Sequence, residues 1–412
     1  MTQRERQGWI IVASLFVTLV LVFGSGYNTG GLFFPHLLKH FGWKRAQLSM
    51  LQGAALPLSA GLSAPLIGWM LDRVEARIVM VAGTVLTAAA FLVASRVDSF
   101  GPLFGAYVML GGGIGAATLL PCSLVIANWF GARRGLALGL TFAGTSLGGA
   151  LMTMVGSRAI AYGGWRAGYV ALAIPMIVIV IPLIIIVVRT RPPQADGISV
   201  SQASDALPGF ELREAFRTRS FWTIAAAQFF FAAVAAGAGL HLITYLTELG
   251  YTPSFAAGVM SVGFIFAGAG KLGMGIIADR ISARVALSIN FLLAGAGMLL
   301  IFGAGQIVVL VPFVLIFGLT LGAPLVLVPM LVAESLGLKR FGSIGGIAGV
   351  FNTIGAFVGP VGAGKIYDVT GSYVFAFEAF VVMCVLGAIA AYATMSFESE
   401  QERAATAAAA AA

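Results

Sequence analysis

A single lysine, Lys271, lies near the middle of a stretch that otherwise holds only apolar and small residues, GFIFAGAGKLGMG at 263–275. The surrounding run, 256–277, is long enough to cross a bilayer, which takes roughly 20 apolar residues. An ammonium group at that depth costs about 2.5–3.5 kcal/mol on insertion scales, so it normally faces protein or a wet cavity and has a functional partner. Its chemistry is that of a counter-charge. One deep cation balances one carboxylate, whereas a dicarboxylate would leave a negative charge uncompensated in a low-dielectric site. The expected ligand is therefore a small carboxylic acid anion.

Other residues could serve the same site. Tyr27 and Asn28 interrupt a long apolar run beside Gly30 and Gly31, where hydroxyl and amide donors suit the wall of a cavity. Tyr245, Phe351 and Asn352 are candidates for the opposite wall. Three residues are candidates for handling a proton: Lys271 itself, His241 and Glu378. His241, in GAGLHLITYL, is the only deep histidine, and histidine changes charge between pH 5 and 8. A lone histidine in an apolar run is more often a hydrogen-bonded core residue. Glu378, in SYVFAFEAF, would exchange a proton if it met dry and wet surroundings in turn.

A third set is defined by repetition. Residues 68–77 read GWMLDRVEAR and 275–284 read GIIADRISAR, and both fit G-x-x-x-D-R-x-x-x-R. Asp72, Arg73 and Arg77 thus match Asp279, Arg280 and Arg284. An aspartate just past one helix end can bind the N-terminus of a neighbouring helix, and arginine pairs with carboxylates. These groups are expected to latch the inner side shut, with Glu334, Lys339 and Arg340 joining them. A further echo links ANWFGARRGLALG after the fourth apolar run to AESLGLKRFGSIGG after the tenth.

The elements that must position these residues follow from composition. The chain has 412 residues, 59% hydrophobic and only 10% charged, with mean hydropathy +0.98. Soluble chains carry about 25% charge. Continuous apolar runs rather than alternation select helices, so the fold class is an all-α membrane protein. Twelve transmembrane helices are expected, at 9–34, 46–70, 78–96, 101–129, 135–157, 167–188, 221–247, 254–278, 284–303, 307–333, 342–364 and 372–396. They divide the chain into an N-terminal six-helix bundle (1–189), a polar linker (190–220), a C-terminal six-helix bundle (221–397) and a tail (398–412). The linker should carry one short surface helix near 211–216. The repeats imply two pseudo-symmetric bundles with a site between them. Clustered glycines among the 54 would let helices approach closely.

Of the 24 Lys and Arg residues, sixteen fall on the side of the termini and the linker and seven on the other, Lys271 being the last. That bias places both termini in the cytoplasm. The net charge of +8 is spread over loops with no basic block, which argues against nucleic acid. Cys122 and Cys384 read as small core residues. No cofactor, metal cluster or nucleophile motif is visible, so an enzyme is not expected.

The pattern resembles the major facilitator superfamily over the whole chain, and within it the monocarboxylate transporter family and its bacterial relatives. The stretches that carry the likeness are Gly8–Trp9; NWFGARRGLALGLTFAGTSLGG at 128–149; GGWR at 163–166; GKLGMGIIADR at 270–280; and LGLKRFG at 336–342. The resemblance implies a secondary transporter of the bacterial inner membrane working by alternating access. It is expected to act as a monomer and to move a lactate- or pyruvate-like acid with a proton. In that family an arginine in span eight binds the substrate carboxylate and an aspartate stands four residues before it. Here those positions are Lys271 and Ala267, and a span-one lysine of the animal members falls on Asn28. The charge is kept at the first position and lost at the second, which departs from the family's carboxylate proton relay. An exchanger of organic anions, oxalate- or formate-like, is the alternative, though such relatives have two deep cations. A membrane sensor that binds without transporting is a more distant one.

Overall fold

The computed structural model of the chain describes residues 3–43, 45–192 and 205–411. Residues 193–204 of the expected linker, and Lys44 among the outer cations, lie outside the described residues. Among the described residues the chain is helical, with one isolated bridge between Gly209 and Gly337.

Among the described residues, ten helices are long and apolar enough to cross a membrane. One of these, Arg134–Val187, counts for two of the expected spans. Its 54 residues would extend about 80 Å as one rod, far beyond a bilayer. The chain breaks at Gly163 and Gly164, where Gly164 takes φ 72°, a conformation open to glycine at little cost. The expected second span appears as Arg45–Met50, the π-helical turn Leu51–Ala55 and Leu56–Leu71 in unbroken succession. All twelve expected spans thus find helices. Their starts follow local chemistry. Thr218 and Thr252 accept the N–H groups of Phe221 and Phe255 at 3.2 Å, and Pro253 opens the Pro253–Ile281 helix, where its missing N–H costs nothing.

The chain divides into two compact units, 1–131 with 140–206, and 132–139 with 207–412. Eight residues that include the start of the Arg134–Pro175 helix therefore group with the second unit. In the first unit, Gly144 and Gly148 lie against the carbonyls of Phe16 and Val20 on the first span, so close that a side chain there would clash. Phe33 stacks on Tyr169 at 3.8 Å, and the Tyr169 hydroxyl is 3.2 Å from that of Tyr107. In the second unit, Gly355 and Gly359 of Phe341–Thr370 meet the carbonyls of Phe229 and Ala233 on Arg219–Glu248. Leu242, Tyr245, Phe313, Phe377 and Phe380 form the centre of an apolar cluster. Close backbone approach through small residues is what helix packing in lipid relies on. Both cysteines are buried and free.

Candidate functional site

Lys271 lies on the Pro253–Ile281 helix and is only 4% exposed. Its helix meets Ile307–Gly322 along a seam of small residues. Gly270 lies against the Leu319 carbonyl, Gly318 against that of Gly263, and Gly322 against both the Ala267 carbonyl and the Cγ of Lys271. The lysine stem is thus held by a glycine on the facing helix. Ala267, one turn earlier, is equally buried. On another side, Gly139 approaches the Lys271 carbonyl.

Eight residues further along this helix the repeated motif takes a defined geometry. Asp279 accepts the N–H of Gly135 at 2.7 Å and of Leu136 at 2.9 Å, capping the helix that begins at Arg134. Gly135 and Gly275 make this possible, since each lies on the other's carbonyl and neither leaves room for a side chain. A carboxylate on a helix N-terminus gains two charge-assisted hydrogen bonds and the favourable end of the helix dipole. Arg134 lies in the field of both Asp279 and Glu334. Glu334 itself accepts the N–H of Ala283 at 3.0 Å, next to Ser282, which takes φ 92°. The matching N–H in the first unit, that of Ala76, donates to Thr190 at 2.8 Å. Thr190 was not visible as a partner in the sequence, because it lies outside both repeated stretches.

The remaining latch candidates are placed differently. Asp72 is buried, and the nearby Arg191 guanidinium is pushed down from its ordinary range by burial, with Asp72 opposing the shift. Arg73 is exposed and lies over the Trp69 ring at 4.3 Å, and Arg77 pairs with Glu75 at 3.0 Å. Arg280 is exposed, as is Arg284, whose guanidinium lies 5.8 Å from the Tyr392 ring centre. Arg340, expected beside Glu334, instead forms two hydrogen bonds with Glu211 at 2.9 and 3.2 Å, and Lys339 joins the same carboxylate at 3.1 Å. Glu211 sits at the start of the short linker helix Leu212–Ala215, in a capping box with Glu214. Glu and Glu three residues apart was the available signal for that helix start. The expected linker helix is thus present, and it is tied to the loop after the tenth span.

At the first span the helix pauses at Asn28 and Thr29 before resuming at Gly30. Ser25 and Thr29 turn their hydroxyls back to the carbonyls of Leu21 and Ser25. Tyr27 is half-buried and stacks on Phe23 at 4.7 Å, while Asn28 is exposed and lies beside Gly149. In the second unit, Phe351 and Asn352 are half-buried, Phe351 in edge contact with Trp222 at 6.0 Å. Tyr245 belongs to the apolar cluster and donates to the Ile301 carbonyl at 3.4 Å. His241 bridges three elements: Nε2 is 3.0 Å from the Pro360 carbonyl and Nδ1 is 3.2 Å from the Tyr373 hydroxyl. A carbonyl only accepts, so Nε2 carries a hydrogen and, in the neutral ring, Nδ1 accepts from Tyr373. Glu378 is exposed near the start of Val374–Tyr392.

Twelve apolar spans among the described residues, a duplicated aspartate–arginine loop and an aspartate cap on a neighbouring helix agree with a sequence profile described as Major Facilitator Superfamily, which matches residues 15–360 and, again, 259–411. The chain belongs to this superfamily. As a member of it the protein is a multi-pass membrane transporter. Monocarboxylate transporter 13 of Bos taurus is 25% identical over 375 residues, which cover 90% of this chain and 85% of that protein. An uncharacterized MFS-type transporter, YcxA of Bacillus subtilis, is 23% identical over 94% of this chain and 95% of its own. Among solved structures, the transporter FucP aligns with TM-score 0.71 at 17% identity, covering 93% of this chain and 98% of that one. The proton:xylose symporter XylE aligns with TM-score 0.73 at 15% identity, covering 94% and 95%. These two likenesses establish the fold.

Proposed function

We propose that this transporter carries a small monocarboxylate of the lactate or pyruvate kind together with a proton, by alternating access, with Lys271 as the counter-charge. The observation that carries the reading is a lysine 4% exposed on a membrane-spanning helix, at the position where the resembled family binds its substrate carboxylate. Relatives named monocarboxylate transporters support the substrate class. A loaded site in which anion and proton enter together is neutral overall, which lowers the cost of closing it away from water. Asp279 then acts as a latch: opening requires the helix start at Gly135 and Leu136 to leave its carboxylate. We place the protein in a bacterial inner membrane with both termini cytoplasmic, following the bias of positive residues.

Uptake of labelled lactate by proteoliposomes tests the reading. An inward acid gradient should accelerate uptake, and Lys271→Ala should reduce it to the level of empty vesicles while the protein still inserts and elutes as wild type. Normal transport by that variant would remove Lys271 from the site. Indifference to the gradient, with undiminished counterflow, would replace symport by anion exchange.

A further inference from the structure

The second unit carries a cleft of about 600 Å³ on its surface, away from Lys271, where three helices come together at one end. Its floor is Ser288 of Ala283–Leu300 and Ala388 of Val374–Tyr392, and the Ser288 hydroxyl donates to the Ala388 carbonyl at 3.0 Å. The floor is therefore both small and without a free polar group. Leu292, Ile389 and Tyr392 line the walls and are largely exposed. The cleft is polarised along its length. Arg219, the first residue of Arg219–Glu248, closes one end together with Tyr392, and Arg284 lies over the Tyr392 ring. From Tyr392 inward to Val385, about 10 Å of helix, the lining residues Ile389, Ala388 and Val385 are aliphatic.

In a chain that spans a bilayer, these residues lie where lipid would meet them. Arginine and tyrosine at a helix end mark the head-group level, and basic pockets between helices bind anionic head groups. Among the described residues Arg219 makes no ion pair, and Glu400, which meets the next residue in the chain, is already bound to the N–H and hydroxyl of Ser220. A guanidinium matches a phosphate in two-pronged geometry, and the aliphatic groove below it matches an acyl chain. We propose that this cleft is a binding site for one anionic phospholipid, its phosphate on Arg219 and one acyl chain along Leu292, Ala388 and Ile389.

The test uses the full chain purified in a neutral detergent. Dioleoyl phosphatidylglycerol should raise the melting temperature by several degrees more than dioleoyl phosphatidylcholine, and native mass spectrometry should retain one such lipid per monomer. Arg219→Gln should abolish the difference between the two lipids. Ala388→Phe, which fills the groove, should abolish retention of either. If Ala388→Phe does not fold, Leu292→Ser on the exposed wall should weaken retention without touching the floor. An equal preference for phosphatidylglycerol in wild type and Arg219→Gln overturns the proposal. So does an equal shift with glycerol phosphate alone, which has no chain, or a dimer mass showing that a second copy covers the cleft.

Discussion

At the scale of single residues, the two groups best placed to hold a proton sit in contrasting surroundings. Lys271 lies on a glycine seam with its stem against Gly322, whereas His241 has both ring nitrogens engaged by Pro360 and Tyr373. Those two bonds tie the seventh, eleventh and twelfth spans together, each worth on the order of 1 kcal/mol. His241→Ala should therefore lower the melting temperature measurably, whatever its part in transport. His241→Gln, which can still donate and accept, should recover most of that stability. With Lys271 as the proton carrier, the pH dependence of lactate uptake should survive His241→Gln unchanged. Loss of the response between pH 6 and 8 in that variant would transfer the coupling role to His241.

At the scale of elements, the helix that carries Lys271 has a packed side and an open side. A Cβ on Gly270 would run into the Leu319 carbonyl, while one on Gly273 would meet nothing within 4 Å. Gly270→Val should cost about 1–3 kcal/mol by overpacking, force the helix pair apart and displace the lysine between them. Gly273→Ala, three residues along the same helix, should fold and transport as wild type and gain slightly in stability from helix propensity. Melting curves and uptake for the pair check this. Equal tolerance of both would mean that the seam does not fix the position of Lys271. The cap at Asp279 is a second lever on this helix. Asp279→Asn keeps the shape but removes the charge and one of its two acceptor oxygens, so the helix start at Gly135 should be held less firmly. Faster hydrogen exchange at 135–136 would report it.

At the scale of the whole molecule, the segment after the linker is fastened to the loop 336–340. Leu338 and Phe210 exchange backbone hydrogen bonds with Pro208 and Leu336, and Glu211 closes the clamp on Arg340 and Lys339. The tail helix Phe397–Ala411 joins it. Phe397 packs on Phe210, and Glu400, 2% exposed, takes two hydrogen bonds from Ser220. The Arg340 hydrogen bonds, with Lys339 adding to them, hold the Glu211 carboxyl below its ordinary range. A carboxyl whose folded value is depressed stabilises the fold above its unfolded value and loses that contribution as pH falls through the folded one. Protease cleavage after Arg213 should therefore be slow at pH 7 and accelerate below about pH 4, the ordinary carboxylate range. It should also accelerate in high salt, because the clamp is partly exposed. Glu211→Gln should cleave at the faster rate at every pH, and a wild-type rate that ignores pH and salt would show that the clamp rests on its backbone bonds alone.

The sequence by itself determined the membrane class, the helical content, the twelve spans and the duplicated aspartate–arginine loop. Each of these depends on local quantities: hydropathy over a window, glycine and proline as breaks, and a spacing that repeats. It also singled out Lys271, because a charge in an apolar run is conspicuous without any knowledge of its neighbours. Tertiary structure alone decided who meets whom. Arg340 found Glu211 rather than Glu334, Tyr245 went into the apolar cluster, Glu378 stayed exposed, and Glu400, in the tail after the last span, became buried. Partner choice depends on helix rotation and on close backbone approach at glycines such as Gly135 and Gly275. Those are properties of pairs of helices, and no single stretch of sequence contains them.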